Sequence, residues 1–329
     1  MANKIRVGII GVGGMSYHHI NGFLNSPDAE ITALVDIVPS QMDIAFERVP
    51  ALTGAKTYTD YRDLLAAGGV DAVEISTPHT CHFDQIMDSL DCGLHVLTEK
   101  PMVCSTEHAH AVIDKARQAD RVLMIHYQRH FSSPHRYIRN MIHSGALGEV
   151  HFINAFQCQN WKPRQVGKWR QDPALSGGGQ LNDSGSHMVD IILWTTGLTA
   201  ESVYADIDNR GTRVDINSSI AVKFTSGAKG NISIVADSTC VYYEDITIWG
   251  TKGTILYRNG KLFFCNEAGE MTEPADLPEG GHGDQGFLDT ILHGAPNWVP
   301  PVCGLRVIEL TEAAWKSGET GQPCPVAVL

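Results

Sequence analysis

In the first part of the chain, short apolar runs alternate with stretches of helical periodicity. Five runs predict strands, at residues 5–10, 31–36, 71–76, 94–98 and 122–125. Helices are predicted between and after them, near residues 15–25, 40–49, 60–67, 80–91 and 106–119. This alternation is typical of a parallel sheet with helices on both faces, and the strands are apolar enough to be buried on both sides. We therefore predict a doubly wound α/β domain over residues 1–127.

The pattern changes after about residue 127. Helices are predicted over 134–143 and 181–195, and near 284–293 and 304–317. Between them lie runs in which apolar and polar residues alternate, at 220–224, 232–234 and 246–248. Asn259-Gly260 between two further apolar runs is a strong signal for a two-residue hairpin turn. We predict a second domain over residues 128–329, of the α+β class, with a large, open and mostly antiparallel sheet.

Composition narrows the class of protein. The chain has 329 residues, and its 25 basic and 37 acidic side chains give a net charge of −12. That balance argues against a nucleic-acid-binding protein, which needs a broad basic surface. No stretch approaches the roughly 20 apolar residues that span a bilayer, and the amino-terminal residues lack the apolar segment of a signal peptide. Eight scattered cysteines without a C-x-x-C pair suit a reducing compartment. We expect a cytoplasmic protein with neither nucleic-acid nor membrane partners.

A glycine-rich loop follows the first predicted strand and opens the first predicted helix. Its residues are Gly11, Gly13, Gly14, Met15 and Ser16, with Ser16 at the third glycine position of G-x-G-x-x-G. In dinucleotide-binding folds, the first glycine permits a tight turn and the second lets the backbone approach a pyrophosphate. Backbone N–H groups and the helix dipole then bind the anion without a lysine. A glycine-rich turn without a ligand is the competing interpretation.

An acidic residue at the end of the second predicted strand favours the dinucleotide interpretation. Asp36 lies 20 residues after Ser16, where a carboxylate accepts hydrogen bonds from the ribose hydroxyls of NAD. No arginine follows closely, so the 2′-phosphate of NADP would meet an uncompensated negative charge. We therefore predict NAD as the cofactor. A second G-x-G-x-x-G match, at 281–286, follows a loop and not a strand, and we interpret it as loop.

Three further residues are candidates for chemistry. Lys100 directly follows the predicted strand 94–98, and open α/β sheets bind ligands at the carboxyl ends of their strands. A solvated lysine in a turn is the alternative. Asp183 and His187 follow three consecutive glycines, and a helix that begins near Leu181 would place them four residues apart on one face. Two alternatives compete there, a capped helix with a structural histidine and a metal site that includes Asp190; we expect no metal.

Taken in order along the chain, these motifs resemble the glucose-fructose oxidoreductase / inositol dehydrogenase / MocA family. Besides the glycine loop with His19 behind it, the matching segments are 76–79 with His82, 99–101, 127–131, 145–149, 178–190 and 249–253. The resemblance implies a Rossmann domain that binds NAD and a C-terminal open-sheet domain. It also implies a group of Lys100, Asp183 and His187 at the nicotinamide. The residues that it adds to the cofactor site are Thr77, Pro78, His79, His82, Glu99, Lys100 and Gln128. Ser16 and His79 depart from the family's usual pattern.

The function implied by the resemblance is hydride transfer between a secondary alcohol of a sugar or cyclitol and NAD. His187 is our candidate general base, oriented by Asp183, with Lys100 as donor to the reacting oxygen; the reverse assignment, with Lys100 as base, stays open. The predicted substrate residues are Lys100, Trp161, Arg164, Trp169, Asp183 and His187. Alternatively, the tryptophans belong to the core or to a subunit interface.

Three expectations about activity and assembly complete the hypothesis. We expect a homo-oligomer, a dimer or tetramer, formed through the C-terminal sheet. Transient oxidation by tightly held NAD, with net hydrolysis or elimination, is an alternative reaction. A non-catalytic dinucleotide-binding regulator is the third possibility, although the presence of Lys100, Asp183 and His187 together argues against it.

Overall fold

The computed structural model describes residues 4–327. Its contacts divide this part of the chain into two compact units. The first unit contains the residues up to Val103, together with Glu107–Gln128 and Gly281–Gly304. The second contains Cys104–Thr106, Arg129–Gly280 and the residues from Leu305 onward. The first unit thus includes Gly281–Gly304, which the boundary predicted at 127/128 leaves in the second domain.

The first unit is built on a six-stranded parallel sheet in the order β3-β2-β1-β4-β5-β6. Its strands are β1 (Ile5–Ile10), β2 (Ala29–Val35), β3 (Lys56–Tyr58), β4 (Ala72–Ile75), β5 (His95–Thr98) and β6 (Leu123–Ile125). The first five helices are α1 (Ser16–Leu24), α2 (Pro39–Arg48), α3 (Tyr61–Ala67), α4 (His82–Asp91) and α5 (Thr106–Ala119). The predicted α/β fold is confirmed. Only β3 was not predicted, because its three residues are mostly exposed and do not form an apolar run.

Strand register places three segments side by side at the carboxyl edge of this sheet. Ile10 at the end of β1 pairs with Ile75 of β4, and Ile75 pairs in turn with Thr98 of β5. The glycine loop, the Ser76-Thr77 segment and the Glu99-Lys100 segment follow these three residues. Since neighbouring strands lie about 4.8 Å apart, Gly11 and Lys100 leave the sheet roughly 10 Å apart on one edge.

The second unit contains a nine-stranded sheet in the order β14-β13-β12-β11-β7-β10-β9-β8-β15. Its strands are β7 (Val150–Asn160), β8 (Ala200–Asp208), β9 (Asn217–Phe224), β10 (Lys229–Val235), β11 (Asp237–Gly250), β12 (Gly253–Arg258), β13 (Lys261–Asn266), β14 (Met271–Thr272) and β15 (Cys324–Pro325). The remaining helices of the chain are α6 (Ser133–His143), α7 (Pro173–Ser176), α8 (Gly185–Thr196), α9 (Gly283–His293) and α10 (Pro301–Thr320). Within this sheet, only the β7–β10 pair is parallel among the described strands, which confirms the predicted sheet type.

The hairpin predicted from Asn259-Gly260 is present between β12 and β13. Both residues have positive φ, 47° and 95°, as a two-residue turn of type I′ requires. The central strand β7 was not predicted, because its side chains are partly covered on both faces and its sequence shows no clean alternation. None of the helices within residues 4–327 combines the length and the apolar character needed to cross a bilayer.

A buried histidine in the second unit makes stability depend on pH. His135 on α6 is 2% exposed and its ring lies 4.8 Å from that of Tyr257. Burial, together with the charges of Arg129 and His130, lowers its pKa to about 3. The unfolded chain, with an ordinary histidine pKa of about 6.5, therefore binds a proton below pH 6.5 that the folded chain does not. Stability is fully present above that pH and falls as the pH is lowered toward 3.

We expect His135→Gln to reduce this acid sensitivity. Between pH 7 and pH 5 the free energy of unfolding should fall by roughly 2 kcal/mol more in the wild type than in the variant. Urea unfolding at the two pH values measures the difference, independently of any constant effect of the substitution. His151→Gln, at an exposed position on β7, is the control and should keep the wild-type pH dependence. An equal acid sensitivity of wild type and His135→Gln would contradict the assignment.

Candidate functional site

The glycine loop between β1 and α1 is shaped by backbone contacts that only glycine allows. Gly11 has φ +92°, and a Cβ there would lie 2.9 Å from the carbonyl carbon of Ser76 and from Thr77. A Cβ at Gly13 or Gly14 would meet nothing within 4 Å, so their backbone borders open space. The Ser16 hydroxyl donates to the Gly13 carbonyl at 2.7 Å, which closes the loop at the third glycine position. The loop thus leaves its central backbone free for an anionic ligand.

Asp36 lies directly beside this loop. Its Oδ2 accepts a hydrogen bond from the Val12 N–H at 2.9 Å, and its Oδ1 accepts one from the Val38 N–H at 2.8 Å. Each carboxylate oxygen has a second lone pair, so the group can still accept from two ribose hydroxyls. The residues present therefore fit a dinucleotide with free 2′- and 3′-hydroxyls on the ribose, which is NAD.

Gly11 and Gly13 offer a matched pair of substitutions. Gly11→Ala should destabilise the first unit by about 1–3 kcal/mol, since it combines a strained positive φ with close contacts to backbone atoms. Gly13→Ala should leave the unfolding transition in place and weaken NAD binding at least about tenfold, because its methyl group occupies space beside the loop backbone. Thermal unfolding of the NAD-free protein and NAD titration by fluorescence separate the two effects. Loss of stability in Gly13→Ala, or unchanged NAD binding, would contradict this picture.

The predicted cofactor residues after β4 differ in what they present. The Thr77 hydroxyl donates to Gln85 Oε1 at 2.6 Å, and Thr77 and Pro78 are half-buried. His82 is fully buried, with Nδ1 2.8 Å from the Pro101 carbonyl and Nε2 3.0 Å from the Thr77 carbonyl. Its ring therefore holds two loops of the carboxyl edge together and presents no atom to a cofactor, unlike the prediction. His79 is also buried, whereas Gln128 is exposed.

Lys100 and Glu99 both follow β5 but differ in burial. Lys100 is half-buried, and its backbone N–H donates to Glu99 Oε2 at 3.1 Å. The Glu99 carboxylate is buried, with Oε1 3.3 Å from His19 Nε2 and 3.1 Å from His126 Nδ1. Glu99 was predicted as a cofactor contact, but its carboxylate faces the interior of the unit. His19 was noted only as part of the resemblance, and His126 was missed.

In the second unit, the prediction that Asp183 and His187 share a helix face is wrong. The helix α8 begins at Gly185, so Asp183 lies in the turn before it and His187 in its first turn. The turn is held by contacts remote in sequence: Asp215 Oδ1 accepts from the Gly179 N–H at 2.8 Å, and its Oδ2 accepts from the Leu181 N–H at 2.7 Å. These hydrogen bonds satisfy backbone N–H groups of the turn that precedes α8.

Asp215 also explains the glycines of this segment. A Cβ at Gly179 would lie 2.0 Å from the Asp215 carbonyl oxygen, so a larger residue does not fit. Trp315 donates its indole N–H to Asp215 Oδ1 at 3.0 Å. Burial raises the pKa of Asp215, although the three donors oppose the shift. Sequence reasoning missed Asp215, since no local pattern connects it with residues 177–181.

The Asp183 carboxylate is held by two donors. Trp161 Nε1 donates to Asp183 Oδ2 at 2.8 Å, and Arg170 Nε donates to the same oxygen at 3.0 Å. Trp161 is 3% exposed and packs with Val214, so the structure places it in the core and not on a substrate-facing surface. Arg170 was missed as a partner of Asp183. It also lies over the Trp169 ring, 4.2 Å from the centroid.

The other predicted residues of this unit lie as follows. Arg164 is exposed, and His187 and Trp169 are half-buried. Asp190 on α8 pairs with His130, with Nε2 and Oδ2 2.8 Å apart and both side chains buried. Within residues 4–327, donor atoms of Asp183, His187 and Asp190 do not come together as a compact group of metal ligands. The alternative of a metal site at these three residues therefore gains no support.

Comparison with known proteins identifies the family. Residues 5–127 match the family model GFO_IDH_MocA, which describes an oxidoreductase family with an NAD-binding Rossmann fold. Residues 135–256 match the family model of the GFO/IDH/MocA C-terminal domain. The rhizopine catabolism protein MocA of Rhizobium meliloti is 32% identical over 59% of this chain and 58% of its own length. Inositol 2-dehydrogenase of Corynebacterium glutamicum is 28% identical over 62% and 57%. A glycosyl hydrolase family 109 protein of Shewanella woodyi is 28% identical over 67% and 47%.

Similarity in three dimensions extends further along the chain than similarity in sequence. The WlbA dehydrogenase from Bordetella pertussis, solved in complex with NADH and UDP-GlcNAcA, superimposes with a TM-score of 0.85 over 99% of this chain and all of its own, at 23% identity. The sequence matches, by contrast, span less than three-fifths of the curated relatives' own length. With both of its domain models matched, the chain belongs to the Gfo/Idh/MocA family of oxidoreductases, and its first domain is the family's NAD-binding Rossmann domain.

Proposed function

We propose that the protein is an NAD-dependent dehydrogenase that oxidises a secondary alcohol of a sugar or cyclitol. The observation that carries the proposal is the order of groups along the carboxyl edge of the six-stranded sheet. The glycine loop, Asp36 and Thr77 lie at that edge, and Lys100 follows the second strand from the loop. A lysine there suits the end of an extended dinucleotide at which chemistry takes place.

Different residues of the first unit are proposed to bind different parts of the cofactor and the substrate. Backbone N–H groups of the loop from Gly13 to Ser16 and the start of α1 are suited to the pyrophosphate. The Asp36 carboxylate accepts from the ribose hydroxyls. When bound, NAD supplies the acceptor for a hydride. The Lys100 ammonium donates a hydrogen bond to the reacting substrate oxygen and stabilises the negative charge that develops on it as its proton leaves.

In the second unit, His187 is the proposed general base. A neutral imidazole accepts the hydroxyl proton near neutral pH. Asp183, fixed by Trp161 and Arg170, supplies a negative charge that stabilises the protonated imidazole. The reaction then balances: the alcohol carbon gives up its hydrogen as a hydride to the acceptor that NAD would supply, the O–H proton goes to His187, and the alcohol becomes a ketone. Arg164 and Trp169 are the proposed substrate contacts beside this group.

The polyhydroxylated substrate is proposed from the relatives, one of which is named inositol 2-dehydrogenase. The test is to offer the protein a panel of sugars and cyclitols with excess NAD and to follow the absorbance of reduced nicotinamide. Sustained formation of reduced cofactor with at least one polyol supports the dehydrogenase. No reduction with any polyol, in protein shown to bind NAD, would contradict it.

A second candidate rests on the relative named as a glycosyl hydrolase family 109 protein. In this second function the sugar would be oxidised transiently and reduced again within one turnover, with net hydrolysis or elimination and no net consumption of NAD. The same residues would serve, because hydride removal at the alcohol carbon remains the first step. Product formed from a glycoside without net accumulation of reduced nicotinamide identifies this second reaction.

A further inference from the structure

A cluster of buried titratable groups lies inside the first unit and has no assigned part in the proposed reaction. At its centre is His19, on the buried face of α1 and 0% exposed. Its Nδ1 lies 2.6 Å from Asp284 Oδ1, at the start of α9. Its Nε2 lies 3.3 Å from Glu99 Oε1 and 3.5 Å from Glu74 Oε1 on β4. One imidazole is therefore surrounded by three carboxyl groups from three different elements.

These neighbours determine the charge of the ring. Both nitrogens face acceptors, and only a doubly protonated imidazole donates from both. Burial favours the neutral form, but Glu74, Asp284 and Glu99 outweigh it and raise the pKa of His19 well above its usual value. Burial likewise opposes ionisation of Glu99, but His126 and His19 lower the pKa of its carboxyl well below the usual range. His19 is thus an imidazolium and Glu99 a carboxylate at neutral pH.

Two further histidines complete the surroundings of His19. The His126 ring lies 4.3 Å from that of His19, and the His18 ring 5.7 Å from it. Burial raises the pKa of Glu74 to about 7, although His19 and the Ser76 hydroxyl oppose the shift. Burial, together with His126, lowers the pKa of His18. The Glu74 carboxyl therefore changes charge near neutral pH.

The cluster is connected to Lys100 through the two oxygens of Glu99. Oε1 lies toward His19 and His126, at 3.3 and 3.1 Å, and Oε2 accepts the Lys100 backbone N–H at 3.1 Å. The Glu99 carboxylate therefore contacts both His19 and the Lys100 backbone. We propose that His19, clamped by Asp284, is a positioning residue that orients Glu99 and through it Lys100. The proposal rests on the proposed function, in which Lys100 acts on the substrate.

A glycine on the same helix supports the close approach of Asp284. A Cβ at Gly22 would lie 2.1 Å from Asp284 Oδ2, so α1 accepts this carboxylate only because residue 22 has no side chain. Asp284 itself belongs to the second G-x-G-x-x-G match, at 281–286, which precedes and begins α9. In this interpretation that segment does not bind a nucleotide. It places the Asp284 carboxylate beside His19.

The test compares His19→Gln, Asp284→Asn and Gly22→Ala with Asp289→Asn, a matched control on the same helix as Asp284. We expect kcat to fall roughly 10- to 100-fold in the first three, the size of effect that a small misplacement of a reacting group produces. The KD for NAD should change little, and Asp289→Asn should match the wild type. The thermal transition of the first three should fall, because each disturbs a buried and paired group of charges, so kcat is compared at a temperature at which every variant is folded. Gly22→Ala alters no titratable group. A similar fall in kcat in this variant would therefore show that the position of Asp284, and not a change of charge, is the cause.

Two readouts distinguish positioning from a structural role. In ¹⁵N NMR of the NAD-free protein, the His19 ring, assigned by its absence in His19→Gln, should stay doubly protonated at pH 7, and Asp284→Asn should lower its titration midpoint. In His19→Gln the loss should appear in kcat and not in the KM for the polyol, because a displaced Lys100 stabilises the reacting oxygen less while the other substrate contacts remain. A neutral His19 at pH 7, or wild-type kcat in His19→Gln, would overturn the proposal.

Further controls separate this proposal from others. His19, Glu99 and His126 offer donor atoms within 4.8 Å of one another, so the assays are repeated after treatment with a chelator. Unchanged rates support a hydrogen-bonded cluster, and a loss restored by metal would overturn it. If Lys100→Met lowers kcat and His19→Gln does not, only the positioning proposal fails. If neither changes a measured rate, the proposed function fails, while the NMR result still reports on His19.

Discussion

Replacing Lys100 by methionine, or His187 by glutamine, should lower kcat by about 10²–10⁴-fold, the usual contribution of a positioned acid or base. Methionine keeps the length of the lysine side chain without its charge, and glutamine keeps a polar side chain that does not accept a proton near neutral pH. NAD should still bind with a KD close to that of the wild type, because loop backbone and Asp36 carry most of that affinity. Steady-state kinetics with the polyol found in the panel, together with NAD titration, measure both effects.

Lys115→Met is the matched control for this experiment. Lys115 lies on α5 and pairs with Asp91, and its substitution should leave kcat unchanged. Wild-type turnover in both Lys100→Met and His187→Gln would refute the assigned chemistry.

Lys100→Arg then separates the two possible bases. Arginine keeps the positive charge but does not give up its proton in proteins. If Lys100 only stabilises the reacting oxygen, Lys100→Arg should retain clearly more activity than Lys100→Met. If Lys100 is the base, the two variants should be equally inactive, and His187→Gln should keep a substantial part of the rate.

The double substitution Asp36→Ser with Ile37→Arg should reduce the preference for NAD over NADP by about 10²-fold or more. Asp36 is proposed to accept hydrogen bonds from the ribose hydroxyls, and each bond to a charged group contributes about 1.5–3 kcal/mol. A loss of 2.8 kcal/mol corresponds to about 10²-fold in affinity. The new arginine supplies a bidentate donor for the 2′-phosphate, which the wild-type carboxylate repels. The KD values for NAD and NADP, followed by tryptophan fluorescence, give the ratio.

Asp36→Asn serves as the control for loop structure. Asp36 also accepts from Val12 and Val38, so removing it can loosen the loop apart from any effect on specificity. Asparagine keeps one acceptor oxygen and removes the charge, and it should give an intermediate ratio with little loss of stability. A double variant that folds normally and keeps the wild-type preference for NAD would show that Asp36 does not select the cofactor.

Local sequence patterns predicted the elements in which burial or backbone conformation restricts the residues directly. The five apolar runs of the first unit became β1, β2, β4, β5 and β6 because buried parallel strands are apolar along their whole length. Asn259-Gly260 predicted its hairpin because the required positive φ restricts the residues allowed there. The position of Lys100 at a sheet edge followed equally from its place directly after an apolar run.

The candidate residues whose surroundings were misjudged are those whose partners lie far along the chain. Trp161 was considered for substrate binding, but its indole is buried and donates to Asp183. His82 was considered for cofactor binding, yet its ring spans two backbone carbonyls. The helix expected from Leu181 begins at Gly185, and the turn before it is held by Asp215, which accepts from the N–H groups of Gly179 and Leu181. The hydrogen bond between Leu181 and Asp215, which are 34 residues apart, produces no hydrophobic periodicity in either segment of the sequence.

Residue order alone determined the Rossmann sheet of the first unit and the mostly antiparallel sheet of the second, and it predicted a dinucleotide-binding loop accompanied by an acid at residue 36. These features are local, since strand, turn and helix signals depend on neighbouring residues. Tertiary structure alone decided that Asp284 reaches His19, that Gly22 makes room for it, and that Glu99 faces inward. Burial sets the charge of such groups, and burial is a property of the packed chain that composition and spacing do not contain.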